Sequence, residues 1–264
     1  MEIIEAAPCF QMHGSTPQFL YTRIIYRFEG ELYSSRTSQR IPSGSKDIDP
    51  RLLTNTTLIP IDAYSQRFTT GMTRAPNPPP PNTYIKRPNL LAYDAKLSPD
   101  LHTLDEIQAC EILKMHPHEN LAIYFGCVVS SDDRVLGLCF EAYCQTLMER
   151  VNPCHLNKQH PPQCNSTTAD VYISAIRSGI QHMHSLNLAH NDLNPSNIMF
   201  DALDKAVIID FDSCLPFGSS LSTAKRTPGW FNPENKISAP ENDWDALSEI
   251  HAWLHGSVEK YKFT

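Results

Sequence analysis

Strand-forming and helix-forming residues are segregated along this chain, and the change of character comes near residue 143. Residues 19–28 are dense in aromatic and β-branched types, and Glu29-Gly30 offers a hairpin turn into residues 31–35. Residues 36–57 are polar, with Pro42, Gly44 and Pro50, and read as an irregular connection. The four prolines at 78–81 fit neither a sheet centre nor a helix and read as a rigid loop between strands. Thr83-Tyr84-Ile85-Lys86 is a short strand closed by Pro88. Residues 103–115 show helical spacing through Leu104, Ile107, Cys110 or Glu111, Ile112 and Leu113. Two more strands, 121–129 and 135–143, are joined by a Ser-Ser-Asp-Asp turn. Beyond them helices take over. Residues 170–185 are amphipathic through Val171, Ile173, Ile176, Ile180 and Met183, with Asp170 near the N-cap. Residues 243–254 repeat the pattern with Trp244, Leu247, Ile250 and Leu254, and two short strands, 198–200 and 206–209, lie between the helices. Strands first and helices after predict an α+β protein of two lobes, with a cleft between lobes as the expected ligand site.

The 264 residues suffice for one domain of two lobes or two small domains. A formal net charge of -7 argues against a nucleic-acid partner. Apolar runs such as 206–209 are too short to span a bilayer, and the start, with Glu2 and Glu5, does not read as a secretory signal. Eight cysteines are scattered without a disulfide rhythm, so the expected setting is reducing and intracellular, in the cytoplasm.

The chemistry is concentrated in His190-Asn191-Asp192-Leu193-Asn194-Pro195-Ser196-Asn197 and in Val207-Ile208-Ile209-Asp210-Phe211-Asp212. Two carboxylates and a carboxamide sit on loops at strand ends, one loop stiffened by Pro195 and the other held by an apolar strand. Oxygen ligands from Asn197 and Asp210 suit a hard cation such as Mg²⁺. Asp192 is then free to accept a proton from an attacking hydroxyl or to orient it.

These stretches resemble the eukaryotic protein-kinase family, collinearly over roughly residues 84–250. HNDLNPSN resembles the catalytic loop H-R-D-L-x-P-x-N, and IIDFDSC the metal-binding D-F-G segment. His184-Ser185 and Leu188-Ala189-His190 fit the helix entering that loop. Thr227-Pro228-Gly229-Trp230-Phe231-Asn232-Pro233-Glu234 resembles the end of the activation segment, and Asp243-Trp244-Asp245-Ala246-Leu247 the helix whose aspartate braces the catalytic loop. Tyr84-Ile85-Lys86 resembles the strand whose lysine holds the α- and β-phosphates of ATP. Leu138-Cys139-Phe140-Glu141-Ala142-Tyr143 resembles the strand and hinge that hold adenine, with Phe140 as gatekeeper and Glu141 and Tyr143 on the nucleotide. The resemblance implies a two-lobed protein-kinase-like fold: residues 1–57 an N-terminal β-rich extension and linker, 58–142 the N-lobe, 143–264 an incomplete C-lobe. It also implies Mg-ATP as cofactor and a protein substrate or scaffold partner. By the same resemblance Lys86, Glu106 and Asp192 are expected as catalytic residues, and Asn197 and Asp210 as metal ligands.

The sequence departs from the family at identifiable places. Gly71 and the proline run stand where a glycine-rich loop belongs. Counting back from Ile112-Leu113 puts Ala109 at the expected glutamate, leaving Glu106, a turn earlier, or Glu111 to pair with Lys86. Asn191 replaces an arginine that answers activation-segment phosphate, Asn194 a lysine at the γ-phosphate, and Asp212 a glycine. The sequence ends at Thr264, soon after the helix beginning near Asp243, so a C-lobe truncated after that helix, with apolar surface left for a partner, is expected. A serine/threonine-type protein kinase is the leading expectation. A pseudokinase acting as a nucleotide-binding or scaffolding module is the alternative. A small-molecule phosphotransferase is disfavoured by the TPGWFNPE platform. Cys154, His155, His160 and Cys164 can be drawn as a zinc site, but their spacing fits no ordinary finger and Pro161-Pro162 suggests a surface insertion. The sequons at Asn55 and Asn165 carry no weight in an intracellular protein.

Overall fold

The computed structural model describes residues 1–14, 16–42, 44–93 and 99–263, with 99–103 as backbone alone; the expectation attached to Thr264 lies outside the described residues. The expected α+β class is observed, and the chain forms two compact units.

The first unit comprises Met1–Phe68, Arg87–Leu101 and Ser130–Leu136. Its centre is an antiparallel meander of β1 (Glu2–His13), β2 (Thr16–Phe28), β3 (Glu31–Thr37) and β4 (Thr54–Ile59), in that spatial order. Phe28 pairs with Glu31 across a two-residue turn whose residues, Glu29 and Gly30, both have positive φ (50° and 86°). A turn of that hand matches the twist of the flanking strands, and Gly30 adopts it without steric cost. Ile25, Leu32 and Ile59 are buried under Leu90 and Tyr93. Each such apolar side chain contributes about 1.5–3 kcal/mol on leaving water. Arg134 closes the unit by pairing with Asp62 and donating to the Ser65 carbonyl at 2.6 Å.

One strand refines the sequence reading and one corrects it. β1 lies inside the expected β-rich extension, where no local pattern delimits it, and Pro8 within it is tolerated because the strand lies at the sheet edge. β4 begins inside the stretch expected to be irregular. Five of its six residues are exposed, so no alternation betrays it; pairing with β3 holds it in place.

The second unit comprises Thr69–Lys86, His102–Val129 and Gly137–Thr264. Here β5 (Thr83–Lys86), β6 (Tyr124–Val129) and β7 (Val135–Glu141, in this unit from Gly137 on) form a sheet of order β5-β7-β6, with Lys86 opposite Leu138. Gly137 is required by this pairing: a Cβ there would lie 2.6 Å from the Lys86 carbonyl oxygen. The helices are α1 (Pro99–Met115), α2 (Leu147–Val151), α3 (Ser166–Ser185) and α4 (Pro240–Leu254). Short strands β8 (Leu188–Ala189) and β11 (Leu215–Pro216) pair with each other, as do β9 (Ile198–Phe200) and β10 (Ala206–Ile208).

α3 buries Ile173, Ile176, Ile180 and Met183, whereas Val171 is exposed, contrary to expectation. Its N-cap is Asn165, whose side chain accepts from the Thr168 N–H at 2.9 Å, and not Asp170. A good cap outweighs the weak helix propensity of Ser166-Thr167-Thr168. Among the described residues no helix is long and apolar enough to cross a membrane.

Candidate active site

Three elements of the second unit bring charge together. β5 ends on Lys86, α1 carries the buried Glu106, and Asp210 follows β10. Lys86 Nζ donates to Glu106 Oε1 at 2.7 Å and also to Asp210 Oδ1. Glu111, the other candidate partner, instead accepts from the N–H and hydroxyl of Thr73, each at 2.7 Å. Burial disfavours the Lys86 ammonium, but Glu106, Asp210 and Asp212 outweigh it and hold its pKa above the ordinary lysine value. Burial pushes Glu106 up to about 7 against the pull of Lys86. It works against Asp210 as well, yet there Lys86 prevails and the carboxyl stays below its usual range. Asp210 has φ 64°, a left-handed conformation that aspartate tolerates better than most residues.

The loop after β8 is fixed by one buried carboxylate. Asp243 Oδ2 accepts the His190 N–H and Oδ1 the Asn191 N–H, both at 2.9 Å, and His184 Nε2 lies 2.9 Å from Oδ2. Asn191, also left-handed at φ 63°, donates to the carbonyls of Ala189 and Ser213 and accepts from Asn242 Nδ2 at 2.9 Å. A neutral network therefore fills the place where the resemblance has an arginine.

Asp192 is buried, and burial raises its pKa against the opposing pull of bonds from Thr227. Its Oδ1 accepts the Thr227 N–H at 2.6 Å and its Oδ2 the Thr227 hydroxyl at 3.1 Å. Asn194 Nδ2 donates to the Asp192 carbonyl at 3.0 Å and to Thr227 Oγ1 at 3.1 Å. Asn197 Nδ2 donates to the Asp192 carbonyl at 2.9 Å, which leaves Oδ1 as its free acceptor.

A cavity of about 540 Å³ collects most of these groups. Lys86, Glu106, Asn197 and Asp210 line it together with Ala122, Phe140, Glu141, Tyr143, Met199 and Ile209. Asp192 is not on its lining; it sits behind Asn197 at the Thr227 side. Volume and mixed lining suit a small organic ligand with a charged end. Phe140 packs against Tyr124 at 5.4 Å between centroids. The Tyr143 hydroxyl accepts the Ile123 N–H and donates to Glu141 Oε2, both at 3.1 Å. Its main-chain N–H and C=O make no backbone hydrogen bond among the described residues. The carboxylate of Asp210 and the amide oxygen of Asn197 are two hard oxygen donors lining the same cavity, a donor set suited to a Mg²⁺ ion completed by phosphate oxygens.

No turn of glycines stands beside this cavity among the described residues. The segment before the proline run lies along β6 instead, with Ala75 N–H on the Cys127 carbonyl at 2.8 Å and Cys127 N–H on the Thr73 carbonyl at 2.7 Å. The drawn zinc site does not form. The His155 and His160 rings stack at 3.6 Å between centroids, and the four side chains bring no three ligand atoms together.

The protein kinase domain profile matches residues 90–252, more than half of the chain. The chain belongs to the protein kinase domain family. The match begins after Lys86, so that residue's place in the site rests on its contacts rather than on the profile. The serine/threonine-protein kinase Sgk2 of Rattus norvegicus is 31% identical over 109 residues, covering 39% of this chain and 29% of that protein. The serine/threonine-protein kinase Sgk1 of Homo sapiens is 33% identical over 95 residues, covering 33% of this chain and 22% of that protein. The chain thus spans less than a third of the length of these relatives.

One residue of the kinase domain's framework was invisible to sequence reasoning. Lys158, in the stretch read as a surface insertion, is half-buried, pairs with the fully buried Glu249 and donates to the carbonyls of Gly229 and Phe263, each at 2.6 Å. Trp230 and Tyr261 stack on its ammonium at 5.1 and 4.6 Å. Its partners lie 71 to 105 positions away, so no local signal marks it.

Proposed function

We propose that the chain is an ATP-dependent protein kinase of serine/threonine type that uses Mg²⁺. The observation that carries this reading is the joint presence, around one cavity, of a lysine paired to a buried glutamate and of two oxygen donors fit for a hard cation. Lys86, oriented by Glu106, would neutralise the α- and β-phosphates. Asn197 and Asp210 would hold Mg²⁺, which when bound supplies charge neutralisation on the phosphate oxygens. Phe140 would close the back of the adenine pocket, and the free main-chain groups of Tyr143 beside Glu141 would meet the base. Asp192 would orient the acceptor hydroxyl and take its proton. On this reading residues 58–142 form the nucleotide lobe and 143–264 the acceptor lobe, with 1–57 an extension that precedes them.

A pseudokinase is the second reading, and a specific feature favours it. Thr227 occupies both carboxylate oxygens of Asp192, while Asn194 offers no cation toward a γ-phosphate and Asp212 adds negative charge. The test is phosphate transfer from radiolabelled Mg-ATP to serine- and threonine-containing peptides or to the chain itself, with Asp192→Asn as control. Transfer that falls at least a hundredfold in the variant supports catalysis. Mg-ATP binding without transfer would establish the pseudokinase, and transfer unaffected by Asp192→Asn would refute the assignment of that residue.

A further inference from the structure

α3 and α4 run antiparallel, and each end of the pair carries one histidine–aspartate approach. At one end His184 Nε2 is 2.9 Å from Asp243 Oδ2, where the carboxylate also holds two main-chain N–H groups. At the other, about 21 Å away along α3 at 1.5 Å per residue, Asp170 Oδ1 is 3.3 Å from Nε2 of His255, the residue capping α4. The first end is fully bonded. The second is not: His255 Nε2 is shut off from solvent and makes no hydrogen bond, despite the carboxylate beside it. His251 stands one helical turn before it, the two rings 4.5 Å apart between centroids. One ligand atom each from Asp170, His251 and His255 lie within 4.8 Å of one another, which no other such trio does among the described residues.

An ion held by all three ligand atoms would satisfy the buried Nε2 that the Asp170 approach leaves without a hydrogen bond. We propose that Asp170, His251 and His255 bind one Zn²⁺ ion that fastens the second end of the α3–α4 pair. Two histidines a turn apart on one helix face are a recurrent zinc-binding arrangement. A carboxylate and two imidazoles leave the fourth tetrahedral position for water. Two nitrogen ligands disfavour Mg²⁺ and Ca²⁺ and favour a borderline first-row ion. The imidazoles must be neutral to ligate. Lys260 and Arg177 stand near enough to His251 to repel an incoming cation, and Asp170 is the carboxylate that offsets them. Because α3 leads into the loop of His190 and α4 supplies Asp243, the ion would stiffen the frame of that loop whether or not the chain transfers phosphate.

The test uses the full chain, stripped with chelator, and ZnCl₂ in calorimetric titration, with Co²⁺ absorption as a second readout. His251 and Asp170 are exposed, so His251→Ala and Asp170→Asn are expected to keep the native circular dichroism. The proposal expects one Zn²⁺ equivalent, affinity at least tenfold weaker in both variants, and Co²⁺ bands without thiolate charge transfer. Cys154→Ser/Cys164→Ser should leave binding intact. Absence of binding, unchanged affinity in His251→Ala, or loss of binding in the cysteine variant would overturn it.

Discussion

Replacing Asp243 by asparagine should destabilise the second unit by about 3–5 kcal/mol. The carboxylate is fully buried and its two oxygens face the N–H groups of His190 and Asn191, each at 2.9 Å. Asparagine keeps one oxygen and turns an NH₂ toward the other N–H. One charge-assisted hydrogen bond is lost, about 1.5–3 kcal/mol, and one buried N–H is left without an acceptor, about 1–3 kcal/mol. Trp230, Trp244 and Trp253 all lie in the second unit, so tryptophan fluorescence in urea reports its unfolding selectively. With a slope of about 3 kcal/mol/M, the midpoint should fall by about 1–1.7 M at unchanged slope. Asp245→Asn, which removes an exposed pair to Lys262, is the control and should shift it little. A fall of less than about 0.3 M in Asp243→Asn, equivalent to about 1 kcal/mol at that slope, would refute the brace.

Lys158→Met leaves Glu249 buried without its cation, which costs about 3–5 kcal/mol. At about 2–4 °C per kcal/mol the melting temperature should fall by roughly 10 °C, and Lys158→Met/Glu249→Gln should recover part of it. A single-variant change below about 2 °C contradicts the buried-pair account. Gly137→Ala forces a Cβ to within 2.6 Å of the Lys86 carbonyl and should cost about 1–3 kcal/mol of stability while displacing β5, read as weaker nucleotide binding. At pH 8 a thiol reagent should label exposed Cys144 and Cys154 rapidly. Burial raises the thiol pKa of Cys110, Cys214, Cys139 and Cys127, the last to about 11, so these should react only after denaturation. Rapid labelling of all four in the native protein would show that the core is not packed as described.

What could be read in the sequence was local. The β2–β3 hairpin declared itself through Glu29-Gly30, α3 and α4 through their apolar stripes, and the Asp192, Asn197 and Asp210 positions through contiguous motifs. Glu106 was separable from Glu111 only by helix register, a single turn, and the structure sets it against Lys86. What escaped was decided by partners far along the chain. β4 is exposed along most of its length and exists through β3. Leu90 and Tyr93 pack on the N-terminal sheet by covering Ile25 and Ile59, a match no local pattern reveals. Asn191 reads as the loss of a charged group, yet its amide is fully used by Asn242, Ala189 and Ser213. Asn165 was legible in principle, since asparagine before Ser-Thr-Thr is a strong N-cap, but the apolar stripe starting at Val171 drew the boundary too late.

On the proposed function, Lys86, Glu106, Asn197 and Asp210 form one Mg-nucleotide site. Calorimetric titration of the full chain with ATP, with and without Mg²⁺, tests it most directly when repeated on Asp210→Ala. The account predicts saturable binding that Mg²⁺ strengthens at least tenfold and that Asp210→Ala weakens to the Mg²⁺-free level. Equal binding by wild type and variant in Mg²⁺, or none by either, would contradict it.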